Sequence, residues 1–383
     1  VSGPEEARLI YQGVSHLLPQ SDERRLVVDI GGRSTEMILG QHYNANVVAS
    51  YRVGSVAWSM KYFPDGQFTP QAFQIAEIAA KAVLDEALDT YRRDAWEVAY
   101  GASGTVGAIG DILAAMGETP GTITRAGLDL LLDRLVKAGS ADRVRMDGLK
   151  EDRRAVIGGG VSLLRAVFDL LAIDRMEVAQ GALRQGVLYD LLDREQPQTD
   201  MRMSTVQLLT RKFGIDTAQA NRVSAVATEL YAHIAPAPNE RTARKLGWAG
   251  QLHEIGCQIS HSDHHRHGAY ILGNTDAPGF ALPELQWLSL MVLGHRGKLR
   301  KLETDFANRP FVLQLMCLRL AVALCHARRD PDSAAISLGL DGNRLLLQTR
   351  PGWATAYPQS AHLLNEESIA WQRTPWSLEV TLN

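Results

Sequence analysis

The chain has 383 residues, 45% of them apolar and 22% charged, with a net charge of −3. That length exceeds one ordinary core and predicts two or three domains, and the mild negative charge argues against a general nucleic-acid binder. No stretch approaches 18 uninterrupted apolar residues and no secretory-type leader is read, so an integral membrane protein is not expected. A cytoplasmic protein, at most peripheral to a membrane, is.

Three cysteines, Cys257, Cys317 and Cys325, lack Cys-x-x-Cys spacing and read as reduced core residues. The chain starts without Met at "VSGPEEARLIYQGV", directly in a helix start. Ser2 and Glu5 have capping-box spacing with Pro4 in the first turn, which leaves Glu6 without a local duty. "RRLVVDI" and "TEMILGQ" read as strands joined by a glycine turn, and "NVVASYRVGS" as a third strand. Helical periodicity follows in "PQAFQIAEIAAKAVLDEALDTYRR". "WEVAYGASGTVGAIGDIL" reads as strand, small-residue loop and helix, and "RAVIGGGVSLLRAVFDLL", "RMEVAQ" and "ALRQGVLYDLL" as helix, strand, helix.

This alternation predicts an α/β layer fold over residues 1–195. The polar stretch "DREQPQTDMRMS" marks a boundary. Residues 196–330 read as helical, with "TAQANRVSAVATELYAHI", "ARKLGWAGQLHEIG", "PELQWLSLMVLGH" and "FVLQLMCLRLAVALCHARR" amphipathic or buried. Residues 331–383 read as a small α+β domain, with a hairpin in "AAISLGLDGNRLLLQT" and a closing strand in "WSLEVTLN".

The chemistry concentrates in few places. Asp29 ends an apolar strand before Gly31 and Gly32, where amides could approach an anion, with Ser34 beside them. A carboxylate next to bound phosphate requires a bridging cation, so the pattern points to Mg²⁺ at Asp29, with Glu36 of the return strand either sharing the metal or orienting a water. A plain hairpin with an Asp-initiated turn is the simpler alternative for this stretch alone. Gly101, Ser103, Gly104 and Thr105 form a second anion-type turn, at a strand-to-helix junction. Glu6 is either a dipole-favouring acid or the group that orients or deprotonates an attacking water. His253, Glu254, His261, His264, His265, His267 and His295 suggest a metal site on a helical bundle, or a polar core beside a basic surface.

Together "SGPEEARLIYQGV", "VVDIGGRSTEMILG", "YGASGT", "GALRQGVLYDLL", "LHEIG" and "HHRHGAYIL" resemble, in order and over the whole chain, the exopolyphosphatases and guanosine pentaphosphate phosphohydrolases. The resemblance implies a ribonuclease H-like lobe of the actin/hexokinase-like superfamily, a helical HD-like domain and a small C-terminal domain. It also implies a preceding lobe with its own D-x-G-S-N-S turn. Position by position, Glu6 matches the family's catalytic glutamate, Asp29, Gly31 and Glu36 its phosphate and metal turn, Gly101 to Thr105 its second turn, and Arg184 the arginine of its G-A-L-R-E-G element. Arg33 and Gln185 depart from that pattern.

The implied function is Mg²⁺-assisted release of terminal orthophosphate from inorganic polyphosphate by water, with K⁺ allowed as an activator and a homodimer as the assembly. Guanosine pentaphosphate is the alternative substrate, and a non-catalytic phosphate- or nucleotide-binding regulatory module the alternative of another class. Arg241, Arg244, Lys245, His265, Arg266, His267, Arg296, Lys298 and Arg300 are the expected track for a long polyanion.

Overall fold

The computed structural model describes residues 1–196, 198–235 and 240–383, with backbone alone for residues 303 and 304. Two compact units divide the chain, Val1–Asp200 and Met201–Asn383. The sequence places that boundary near 195; Pro197 of the linker lies outside the described residues. The observed boundary falls later because the polar tail folds back on the preceding helix, with the Thr199 hydroxyl donating to Asp193 O at 2.7 Å.

The first unit opens with α1 (Gly3–Ser15), capped by Ser2, whose hydroxyl accepts from Glu5 N. Strands β1 (Arg24–Ile30), β2 (Thr35–Gln41) and β3 (Asn44–Tyr51) follow as an antiparallel meander. Helices α2 (Ser55–Tyr62) and α3 (Pro70–Leu84) precede β4 (Val98–Ala102), which runs without a loop into α4 (Ser103–Ala115). Then come β5 (Thr122–Thr124), α5 (Arg125–Ala138), α6 (Ile157–Leu170), β6 (Arg175–Val178) and α7 (Leu183–Asp193). One six-stranded mixed sheet results, in the order β3-β2-β1-β4-β6-β5, with β1, β4 and β6 parallel. This is the α/β, ribonuclease H-like arrangement expected from the sequence. The helix read from residue 70 to 93 ends at Leu84 and gives way to short turns of 3₁₀ helix.

Strand periodicity sorts the two faces of the sheet. Leu26, Val28, Ile30 and Met37 enter the larger core with residues of α3 to α6, whereas Val27 and Ile38 pack with Ala7, Ile10, Tyr11 and Val14 of α1. Asp29 and Glu36 continue the α1 side and face each other in register.

Helices α1 and α7 touch backbone to backbone. A Cβ at Gly13 would lie 2.0 Å from Ala182 O, and one at Gly186 would lie 1.7 Å from Leu9 O. Only glycine permits that approach. Buried polar bonds then lock the pair: Arg8 bridges Glu5 at 2.8 Å and Asp190 at 2.6 Å, and Gln12 donates to Asp193 at 2.8 Å. The Glu5 carboxylate is thus turned to Arg8 along its own helix, a role the capping-box spacing does not reveal. The position of Glu6 is fixed by this packing.

The second unit contains α8 (Met201–Lys212), α9 (Thr217–Ile234), α10 (Glu240–Leu252), α11 (His264–Asn274), α12 (Leu282–Gly294) and α13 (Arg309–Leu324). After them β7 (Ile336–Asp341) and β8 (Arg344–Thr349) form a hairpin around Gly342. Helices α14 (Trp353–Ala356) and α15 (Pro358–Trp371) lead to β9 (Ser377–Thr381), which pairs parallel with β8. Ile336, Leu338, Leu345, Leu364 and Trp371 share one hydrophobic core with α9 to α13. The boundary expected near residue 330 therefore falls inside a common core. Cys317 and Cys325 are buried thiols as expected, while Cys257 is only half-buried. No helix among the described residues is long and apolar enough to cross a membrane.

Candidate active site

A cleft of about 530 Å³ in the first unit is lined by Glu6 and Ile10 of α1, Asp29 of β1, Ser103 and Gly104 of α4, Arg153, and residues 179–185 leading into α7. It unites five of the expected site residues, Glu6, Asp29, Ser103, Gly104 and Arg184. Gly31, Gly32, Ser34, Glu36, Gly101 and Thr105 lie outside its lining. The reasons are local.

Gly31 N–H closes the turn by donating to Ser34 O at 2.9 Å, and Gly31 O accepts from Ser55 N. Gly32 O accepts from Val56 and Ala57 N. The first glycine turn is thus tied to the start of α2, a closeness that requires Gly54: a Cβ there would sit 2.3 Å from Arg33 N. Gly101 has a packing role, since a Cβ would meet Val106 at 2.5 Å and Met176 at 2.6 Å. The Thr105 hydroxyl is buried against Ser55 at 3.1 Å.

At the second turn Ser103 adopts a left-handed φ of 83°. Its hydroxyl donates to Ile30 O at 2.9 Å and accepts from Thr105 N at 3.3 Å, stitching the start of α4 to the end of β1. Ala102 provides no side-chain cap, so the positive end of α4 opens into the cleft. The start of α7 lies across from it, with Ala182 N donating to Gln185 Oε1 at 3.2 Å. Gln185 thereby keeps the reciprocal bond of a capping box although it is not an acid.

Against these positive ends stand three carboxylates. Burial, then the charges of Glu36 and Glu6, raise the Asp29 carboxyl to about 7. Burial also raises Glu36, which hydrogen bonds from Ser50 at 2.7 Å and from Ser34 partly offset. Asp29 and Glu36, so buried, resist ionisation until a cation joins them. Among the described residues no three His, Cys, Asp or Glu side chains group as a metal cage. An all-oxygen set of one or two carboxylates open to substrate oxygens and water nevertheless fits Mg²⁺, which keeps much of its water.

Sequence reasoning missed Arg153. It belongs to a short helical stretch, Glu151–Val156, which carries no motif of its own that relates it to the cleft.

The second unit has its own cleft of about 310 Å³, lined by His253, His264, His295, Arg296, Arg319 and Glu367 among others. His253 and His295 are bonded through Nδ1 to the carbonyls of Gly250 and Val292, both at 2.6 Å, and burial lowers the pKa of both rings. Glu254 is paired with Arg328 at 2.8 Å. The metal reading of this cluster finds no group of three ligands among the described residues.

The expected polyanion track separates into two groups. Lys245, near Arg241 and Arg244 on α10, approaches Glu284 in the first turn of α12 at 3.6 Å. Arg296, Lys298 and Arg300 follow the other end of α12, where Arg296 contacts His264 at 3.5 Å and Gly297 lies near His265. The length of α12 puts about 18 Å between the groups at 1.5 Å per residue. His265, Arg266 and His267 belong to the second group, on the first turn of α11.

Comparison with known proteins accords with this organisation. The model of the Ppx/GppA phosphatase family matches residues 1–195, more than half of the chain. The chain belongs to the Ppx/GppA phosphatase family. That family's domain III matches residues 201–368. Solved structures similar to this family member include a PPX-GPPA enzyme of Aquifex aeolicus, 22% identical over 49% of this chain and 63% of that one, with a TM-score of 0.42. An exopolyphosphatase from Cytophaga hutchinsonii is 24% identical over 50% and 64% of the two chains, also at 0.42. An exopolyphosphatase-like protein is 22% identical over 51% and 68%, at 0.46. The match thus spans less than two thirds of the Aquifex and Cytophaga chains.

Proposed function

We propose that this Ppx/GppA phosphatase is an exopolyphosphatase, and that the cleft of the first unit binds the terminal phosphoryl group for attack by water. The observation that carries the proposal is the convergence on one cleft of Glu6, Asp29, two arginines and two helix N-termini, an arrangement suited to an anion and a cation together. Asp29, with Glu36 beside it, would hold Mg²⁺, which when bound neutralises phosphoryl oxygens and polarises the phosphorus. K⁺ activation rests on the family resemblance alone.

The chain's own residues would act as follows. The amides at the start of α4 and the Arg184 guanidinium bind phosphoryl oxygens, and Glu6 Oε accepts the proton of the attacking water. Rigid α1–α7 packing keeps Glu6 oriented. Guanosine pentaphosphate is the second reading, because its 5′-terminal phosphoryl is chemically equivalent at this cleft. As a regulatory module that binds phosphate without turnover, the protein would use the same contacts but not Glu6.

The test is phosphate release by the intact protein from short polyphosphate, long polyphosphate and guanosine pentaphosphate side by side. A higher kcat/KM on polyphosphate is expected. Replacing Arg296, Lys298 and Arg300 together by Gln should impair long chains more than short ones and flatten the salt dependence, because each removed cation deletes a screened contact. Preference for guanosine pentaphosphate, or equal losses at both chain lengths, would remove the polyphosphate reading or the role of the second unit.

A further inference from the structure

We infer that Ser55 and Thr105 are positioning residues for this cleft, forming a buried hydroxyl link that holds the first glycine turn and the start of α4 at one fixed separation; the inference rests on the cleft being the hydrolytic site. Neither side chain lines the cleft. Ser55 opens α2 and is 1% exposed, and Thr105, in the first turn of α4, is 6% exposed.

The direction of each hydrogen bond in the link follows from its acceptors. The carbonyls of Ile30 and Gly31 can only accept, so the Ser103 hydroxyl donates to Ile30 O at 2.9 Å and the Ser55 hydroxyl to Gly31 O at 3.1 Å. Each hydroxyl has then spent its one proton. Thr105 supplies both remaining donors: its N–H reaches Ser103 Oγ at 3.3 Å and its O–H reaches Ser55 Oγ at 3.1 Å. Thr105 is thus the hub of a closed loop that joins two successive carbonyls after Asp29 to the helix whose Gly104 lines the cleft.

The packing around the link leaves it no slack. A Cβ at Gly159 would lie 2.5 Å from Ser55 O, and one at Gly160 would lie 2.7 Å from Thr105 Cγ2, so the glycine run at the start of α6 presses that helix against both residues. A buried polar loop with every member satisfied is directional as well as rigid, and it fixes a distance that apolar contact alone would leave to slide. What it fixes here is the carboxylate end of β1 against the positive end of α4, the two parts of the cleft that a phosphoryl group would have to meet together. Thr105 divides two duties between two atoms: its methyl packs against α6, and its hydroxyl sets the separation. Substitution can remove either alone.

The experiment is steady-state phosphate release by the intact protein carrying Thr105→Val, Thr105→Ser, Ser55→Ala, the Ser55→Ala/Thr105→Val pair or Glu6→Gln, with thermal unfolding of each. Thr105→Val keeps the shape and loses the hydroxyl; it should lower kcat by ~10–10²-fold with KM changed by less than about threefold, the scale on which a misplacement of about 1 Å acts. Thr105→Ser keeps the hydroxyl and loses the methyl, so it should retain the larger part of wild-type kcat while melting below Thr105→Val. Activity and stability then rank the two variants in opposite orders, which a merely structural residue would not do. Ser55→Ala opens the same link from its other side, while Gly31 O keeps the backbone donor of residue 55, so the pair should lose no more than the worse single variant. Should Thr105→Val fail to fold, Ser55→Ala set against Thr105→Ser decides the point. Near-wild-type kcat in both Thr105→Val and Ser55→Ala, additive losses in the pair, or losses that simply follow the unfolding midpoints would overturn the inference. A fully active Glu6→Gln would instead defeat the reading of the cleft itself, whereas an inactive Glu6→Gln beside a fully active Thr105→Val and Ser55→Ala would defeat only the link.

Discussion

Glu6→Gln in the intact protein is expected to lower kcat by ~10²–10⁴-fold with little change in KM, the scale of a lost general base. Glu6 lies in the first turn of α1, whose backbone meets that of α7 through Gly13 and Gly186, so the isosteric amide has no route to relax away. Glutamine retains shape and hydrogen bonding but cannot accept the water's proton. The structural cost is small, since a carboxylate near a helix N-terminus contributes only about 0.3–1 kcal/mol. Steady-state phosphate release with a parallel melting curve checks both parts. A variant that keeps near-wild-type kcat would take Glu6 out of the mechanism.

Asp29→Asn should abolish a pH dependence of stability as well as activity. The folded-state pKa of about 7 lies above the ordinary value of 3.8, because burial and the neighbouring Glu36 and Glu6 oppose ionisation. For an acid shifted upward the unfolded chain loses its proton first. Stability is therefore full below about pH 4, declines as pH rises towards 7, and levels off above it. A shift of about three units sets an upper bound of roughly 4 kcal/mol at about 1.4 kcal/mol per unit. In the absence of divalent cation, the wild-type protein should lose melting temperature between pH 4 and 8, and Asp29→Asn should melt several degrees higher at pH 8. Adding Mg²⁺ with phosphate should reverse that order, since it stabilises the ionised wild-type carboxylate and not the amide. Equal slopes for the two proteins would show that Asp29 is not the strained group.

The parts of this fold that are legible in the sequence are those whose side chains repeat with the period of the structure. β1 and β2 show it plainly: alternate residues enter different cores, and Asp29 breaks an otherwise apolar strand. The break is chemically informative because a buried acid requires a partner. By contrast β5, three residues long, carries too little pattern to be read, and α15 does not advertise that its Leu364 and Trp371 join the core of the helices. The glycines were the least transparent. Gly31, Gly101 and Gly104 look alike in sequence, yet one closes a turn, one makes room for Met176 and one admits a guanidinium. What distinguishes them is the residue opposite, which comes from elsewhere in the chain. Arg153 stayed hidden for the same reason: nothing local to "KEDRRAV" relates it to Gly104. The cationic track read as continuous because sequence proximity ignores the length of α12, which holds Lys245 and Arg296 apart.

The most direct test of the central claim is a crystal structure of the intact protein grown with Mg²⁺ and orthovanadate, a mimic of the phosphoryl group in transfer. The expected result places vanadium in the cleft of the first unit, its oxygens within hydrogen-bonding distance of the amides at the start of α4 and of the Arg184 guanidinium, with Mg²⁺ beside Asp29 and a ligand oxygen facing Glu6. Vanadium in the His-lined cleft of the second unit, with the Glu6 cleft empty, would contradict the account and move the active site to His253, His264 and His295.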